Sequence, residues 1–263
     1  MKPPAAAMPP RLHVAAAFAE GGLLVLPAAA GRHVQVLRLQ PGGGVTLFNG
    51  DDGADWPATV TRMTRSEVEV RLGAPRTVDR ELPFAVTLAL GAPANDRMDA
   101  FVEKACELGV AAIQPLLCER SVLRLAGERA EAKRRHWAAI AASASEQCGR
   151  ASVARVMTMQ PLLAWLGGEA GRGEAHRVVL SLAATAEAAS SLAAGSASAS
   201  GNPAAREIVV LSGPEGGLSE DEERAAVACG FVRTSLGSRV LRADTAPLVW
   251  LAWLAIEAAR QPS

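Results

Sequence analysis

Residues Ile208–Gly230 read IVVLSGPEGGLSEDEERAAVACG. Four successive apolar residues bounded by a glycine loop form a short buried strand. GPEGG follows at once, and Ser219 with Glu222 then makes a capping box at a helix start. A strand handing over to a glycine loop and a helix is the unit of α/β sheets, which hold nucleotide-like ligands at the carboxyl ends of their strands. Glycines there let a ligand approach the backbone closely. The loop is neither a GK[ST] phosphate loop nor GxGxxG, so spacing alone leaves a ligand loop and a plain tight turn equally open.

The next stretch, FVRTSLGSRVLRADTAPLVW (Phe231–Trp250), repeats the handover. A short strand, Val232–Leu236, runs into Gly237, and then Arg239, Arg242, Asp244 and Thr245 precede an apolar helix. Asp244 or Thr245 as a helix cap, with Pro247 in the first turn, is one reading. Phosphate contacts by the two arginines are a second. A ligand site at the helix mouth is the third, since two loops at one sheet edge form one pocket.

Outward from this core, FAVTLALGAP, VAAIQPLLCERS and HRVVLSLA are further strand runs. NDRMDAFVEKACELG places Met98, Phe101, Val102, Ala105 and Leu108 on one helical face with Gly109 as stop, and RRHWAAIAASASEQCGR reads as a helix. This alternation predicts a mostly parallel sheet. Upstream, GGLLVLP, GGGVTLFNGDDG and WPATVTRMTRSEVEVRL are short strand runs, with Val68, Val70 and Leu72 alternating against charged residues. His33, Val34, Leu37 and Arg38 fall at the spacing of a short helix that closes a small barrel. The polar, Pro-flanked GAPRTVDRELP (Gly73–Pro83) separates a β-rich domain, 1–78, from an α/β domain, 82–263. The tract Ala183–Ala205 reads as a surface loop.

Net charge is zero and 49% of residues are hydrophobic, so a packed core is expected and no global basic field advertises a nucleic acid. Cys106, Cys118, Cys148 and Cys229 show no CxxC spacing and no histidine at ligand spacing, which predicts buried free thiols, a reducing cytoplasm and no metal. The start MKPPAAAMPPRLHV has no apolar signal region, and PLVWLAWLAI is far short of the ~20 residues of a membrane span. His136 and the Glu103, Lys104, Glu107 group read as solvated helix faces. Trp250 and Trp253 read as a core or subunit face.

LSGPEGGLSEDE followed by LGSRVLRADTA resembles the carboxyl-terminal signature of the SPOUT methyltransferase superfamily and, within it, the RsmE-type 16S rRNA (uracil-N3)-methyltransferases. KACELGVAAIQPLLCERS, SEQCGR (Ser145–Arg150) and GRHVQVLRLQPGG resemble further segments of that family, in the expected order over nearly the whole chain. The resemblance implies a PUA-like, RNA-binding β-barrel followed by a SPOUT-type α/β domain with a deep trefoil knot. It also implies S-adenosylmethionine as cofactor, a homodimer, and the 16S rRNA of the small ribosomal subunit as target. Carried across, the cofactor residues are Leu180, Ser181, Leu182, Leu211, Gly213, Pro214, Glu215, Gly216, Gly217, Leu236, Gly237, Val240, Leu241, Arg242, Thr245 and Ala246. The chemistry falls to Arg239, Arg242 and Asp244, and Arg11, Arg32, His33, Arg38, Arg62 and Arg65 are candidate RNA contacts. Asp244 stands where the family usually has Glu, and the tract after Leu182 is longer than the family pattern. Another RNA target, or an assembly factor that keeps the knot without turnover, are the competing readings.

Overall fold

The computed structural model describes residues 9–168, 175–182, 187–188 and 207–260, and the chain divides into two units. The first unit takes the described residues up to Glu81 together with Ser145–Val153. Its elements are β1 (Arg11–His13), β2 (Leu23–Val25), α1 (Ala28–Val36), β3 (Gly44–Phe48), β4 (Ala54–Met63), β5 (Val68–Leu72) and β6 (Arg76–Thr77). The strands form one sheet in the order β1-β3-β4-β5-β2, with β6 on β4. As the alternation requires, Val68, Val70 and Leu72 point inward, where they join Leu12, Leu47, Trp56 and Val60. Helix α1 adds Val34 to that core and leaves Arg32, His33 and Val36 exposed. The helix is shorter than its spacing suggested. Arg38 has φ 56, the left-handed conformation usually filled by glycine just beyond a helix end.

Arg11 corrects the sequence reading, because it is no surface phosphate contact. Its side chain is 9% exposed and pairs with Asp55 at 2.5 Å. It donates to the carbonyls of Ser145 (2.9 Å) and Arg150 (3.0 Å) and lies 4.5 Å over the Phe48 ring. A guanidinium here satisfies carbonyls left open where a helix ends. Arg80 likewise donates to the Gly149 carbonyl at 2.8 Å, and Arg150 pairs with Glu81. Burial of Glu81 opposes its charge, yet the bonds from Arg150 and Ser152 hold its carboxyl below the usual range. These contacts explain why Ser145–Val153, expected within the 82–263 domain, groups with the first unit.

The second unit runs through β7 (Ala85–Gly91), α2 (Asn95–Glu107), β8 (Ala112–Leu117), α3 (Gly127–Cys148, its last turn in the first unit), β9 (Arg155–Val156), β10 (Gln160–Pro161) and α4 (Leu162–Gly167). It continues through β11 (His176–Leu180), β12 (Glu187–Ala188), β13 (Glu207–Ser212), α5 (Glu220–Ala228), β14 (Val232–Ser235) and α6 (Thr245–Arg260). The sheet is parallel throughout, in the order β10-β8-β7-β13-β11-β14-β12, with β9 on β8. Val210 stands level with Leu88 and Val178, and Leu211 with Ala89 and Val179. All six are fully buried, so both faces of the sheet centre are covered, which is why these strands read as continuous apolar runs. Around Trp165 and Phe231, α4 and α5 pack on one face. Helices α2 and α6 pack on each other, and α6 on β13. Apart from Glu187–Ala188, the tract Ala183–Ala205 lies outside the described residues.

At the end of β7, a Cβ on Gly91 would lie 2.6 Å from the Pro214 nitrogen, so only glycine lets β7 and the loop after β13 approach this closely. Gly91→Ala is expected to cost about 1–3 kcal/mol of stability, read as a lowered midpoint of urea unfolding; an unchanged midpoint would mean that the Pro214 loop yields freely.

Candidate active site

Because β13, β11 and β14 are parallel neighbours, their carboxyl ends open on one edge, and the loops that follow enclose a cavity of about 750 Å³. Leu180, Ser181 and Leu182 line it from β11, and Ser212 through Leu218 from β13 and its loop. Thr234 and Leu236 come from β14, Arg239 through Ala243 from the next loop, and Ala246 from α6. Arg97 of α2 and Glu223 of α5 complete the wall.

The glycine loop is tightly built. A Cβ on Gly213 would fall 2.6 Å from the Leu218 nitrogen, so the loop closes on itself there. Gly217 has φ +70 and donates its N–H to the Pro214 carbonyl at 2.8 Å. The Glu215 carboxylate accepts the Ala94 N–H at 3.2 Å and faces Arg97 at 3.8 Å, so it serves the start of α2, which has no side-chain cap of its own. The expected capping box of α5 is present: Ser219 accepts the Glu222 N–H, and Glu222 accepts the Ser219 N–H. Glu223 accepts from Ser181 Oγ at 2.9 Å and from Arg233 Nε at 2.6 Å.

At the mouth of α6 the cap is made by backbone. The Arg242 carbonyl accepts the N–H groups of both Thr245 and Ala246. Asp244 Oδ1 is buried with no hydrogen-bond partner, as is Trp250 Nε1 on the same helix. The side chains of Arg239 and Arg242 are exposed and have no ion-pair partner among the described residues. A chamber with mixed apolar and polar walls and a closely approachable glycine backbone suits a cofactor with a flat heterocycle and a polar chain, and the two guanidiniums suit an anionic or carbonyl group brought beside it.

Most expected cofactor residues meet in this chamber, and Arg239 and Arg242 with them. Four expected residues do not line it: Leu211, Gly237, Asp244 and Thr245. Leu211 is fully buried against α4 and α5, because alternation turns Ser212 toward the chamber instead. Arg97, Ser212, Leu218, Glu223, Thr234 and Ala243 were not anticipated. The run Glu220–Glu223 carried a signal, since the capping box uses only one of its four acids. In the first unit, Arg32, His33, Arg38, Arg62 and Arg65 are exposed, and Arg62 is also bridged to Glu67 at 3.4 Å and Glu69 at 3.8 Å. On the helices, Lys104 pairs with Glu103 and Glu107, and His136 Nε2 lies 2.8 Å from Asp99.

Two family models match the chain: an RNA methyltransferase domain over residues 80–255 and an RNA methyltransferase PUA domain over residues 26–73. The ribosomal RNA small subunit methyltransferase E of Bacillus subtilis is 31% identical over 223 residues, 82% of either chain. Its Synechocystis counterpart is 34% identical over 83% of this chain and 67% of its own. The crystal structure of a ribosomal RNA small subunit methyltransferase E from Neisseria gonorrhoeae bound to S-adenosyl methionine matches with a TM-score of 0.82 and 33% identity, covering 94% of this chain and 96% of that one.

Just past β8, beside Glu222, burial first and the Glu222 charge second push the Cys118 thiol up to about 12, although Ser121 pulls the other way. The folded chain therefore keeps this proton where the unfolded chain loses it, and the associated stability is lost as pH climbs from the ordinary thiol range toward that value. With Cys106→Ala, Cys148→Ser and Cys229→Ser in place, a thiol reagent at pH 8 is expected to label Cys118 only in denaturant. Rapid labelling of the native chain would contradict this.

Proposed function

Because the chain belongs to the RNA methyltransferase family, we propose that it transfers a methyl group from S-adenosylmethionine to N3 of a specific uridine in the 16S rRNA of the small ribosomal subunit. One observation carries the reading: Arg239 and Arg242 line the strand-end chamber on the loop that leads to Asp244, whose Oδ1 is buried with no hydrogen-bond partner.

S-adenosylmethionine, when bound, supplies an electrophilic methyl group. Gly213 through Gly217, Leu236, Val240 and Leu241 would hold it, together with Leu180 and Leu182 of the same chamber. The protein's remaining task concerns the base. Uracil N3 carries a proton at neutral pH, and its lone pair is unavailable until that proton leaves. Arg242 hydrogen-bonds a uracil carbonyl oxygen and stabilises the charge that develops there, as fixed donors do in an oxyanion hole. Asp244 orients Arg242 or takes the N3 proton through water, and Arg239 holds an adjacent phosphate. The base must leave any stack to reach this chamber.

The carboxyl end forms a deep trefoil knot in this reading. The strand order supports it: β13 lies inside β11, and α6 returns from β14 on the far side of β11 to pack on β13 and α2. Pairing into a homodimer is supported by α6, where Val249 and Ile256 are exposed at helical spacing beside part-buried Trp253. Arg32, His33, Arg38 and Arg65 supply the RNA contacts of the first unit. The enzyme works in the cytoplasm, a reading supported by Cys106, Cys118, Cys148 and Cys229, none of which forms a disulfide among the described residues. Among the described residues no helix is long and apolar enough to cross a membrane, and no group of three His, Cys, Asp or Glu gathers as a metal site.

Incubation with labelled S-adenosylmethionine and small subunits lacking base methylation, followed by nucleoside mass spectrometry, is expected to yield 3-methyluridine; another methylated nucleoside would overturn the target. Arg242→Ala and Asp244→Asn are each expected to lower turnover on the order of 10²–10³-fold while cofactor affinity stays within a few-fold. Retained turnover in both would remove these residues from the chemistry. Arg38→Ala should reduce the slope of log affinity for RNA against log salt by about 1, and an unchanged slope would take Arg38 off the RNA surface.

A further inference from the structure

Arg120 lies outside the chamber wall, in the turn that follows β8, yet it reaches the glycine loop. Its Nη1 donates to the Gly216 carbonyl at 3.1 Å and to the Leu218 carbonyl at 3.3 Å. The turn that carries it is fixed from below. The Ser121 N–H donates to the Cys118 carbonyl, the Cys118 N–H to Ser121 Oγ, and Arg124 to the Glu119 carbonyl. Beneath these, Glu222 accepts the Glu119 N–H at 2.7 Å. Glu222 is 5% exposed, and its second oxygen is occupied by the Ser219 N–H at 3.0 Å.

We infer that Arg120 is a positioning residue for the cofactor: clamped to the buried Glu222 through the Cys118–Ser121 turn, it fixes the carbonyls of Gly216 and Leu218, and so the conformation of the glycine loop before the cofactor arrives. The inference rests on the reading of that loop as the cofactor site. A loop held in its bound form spends less binding energy on ordering itself. Because Arg120 is exposed, water replaces its two bonds when it is removed, and global stability changes little while the loop loses its fixed shape.

The test is calorimetric binding of S-adenosylmethionine, with steady-state kinetics, on the full-length chain and its Arg120→Ala and Arg120→Lys variants. Arg120→Ala is expected to weaken binding and raise the cofactor KM about tenfold, with kcat within a few-fold and an almost unchanged melting temperature. Arg120→Lys, which keeps a cationic donor for the carbonyls, is expected to recover most of that loss. Wild-type affinity in Arg120→Ala would overturn the role of Arg120 alone. An unmutated chain that binds no S-adenosylmethionine would overturn the cofactor reading and this inference with it.

Discussion

The second unit depends on a buried carboxylate. Glu222 sits 103 residues from Glu119, yet accepts its N–H while closing the capping box of its own helix. A carboxylate taken out of water is costly unless its lone pairs are filled, and here two backbone donors and the start of α5 fill them. In return it fastens the exit of β8 to the exit of β13, which are not adjacent strands, since β7 lies between them. Glu215 does the same on the other side, where it takes the N–H of Ala94, the residue just before α2. The glycine loop is thus held at both flanks by acids from its own segment. Such fixed ties are what a site with little reorganisation to perform requires.

Much of this was legible because it is local. Apolar runs bounded by glycines gave the parallel strands, Val68, Val70 and Leu72 gave their face of the first sheet, and Ser219 with Glu222 announced their helix. The chamber followed from topology, since parallel strands gather their loops at one edge. What stayed hidden is non-local. Arg11 opens a short strand after a proline pair and reads as surface. Its fate is decided by Asp55 and by carbonyls more than 130 residues away. Arg97 and Glu223 enter the chamber from helices whose sequences look like ordinary charged turns. Leu211 was carried into the cofactor set by motif, while the twofold alternation of a strand placed it on the opposite face.

Residue chemistry alone left a ligand loop and a plain turn equally open at GPEGG, and left Asp244 between cap and chemistry. The structure narrows the second question. The Arg242 carbonyl accepts the N–H groups of Thr245 and Ala246, while Asp244 Oδ1 is buried with no hydrogen-bond partner. A buried carboxylate oxygen left without a donor costs stability.

The place of β13 also governs when the molecule becomes whole. Translation delivers β7, β8 and β11 well before it, yet β13 lies between β7 and β11 and pairs with both. Until β13 emerges from the ribosome, the nascent sheet exists as separate pieces with unpaired, strongly apolar edges. Such edges invite aggregation and chaperone capture, and contacts so distant along the chain form slowly. The glycine loop follows β13 directly, so the last strand to join the centre of the sheet is also the one that opens the chamber. No unfinished chain holds the site.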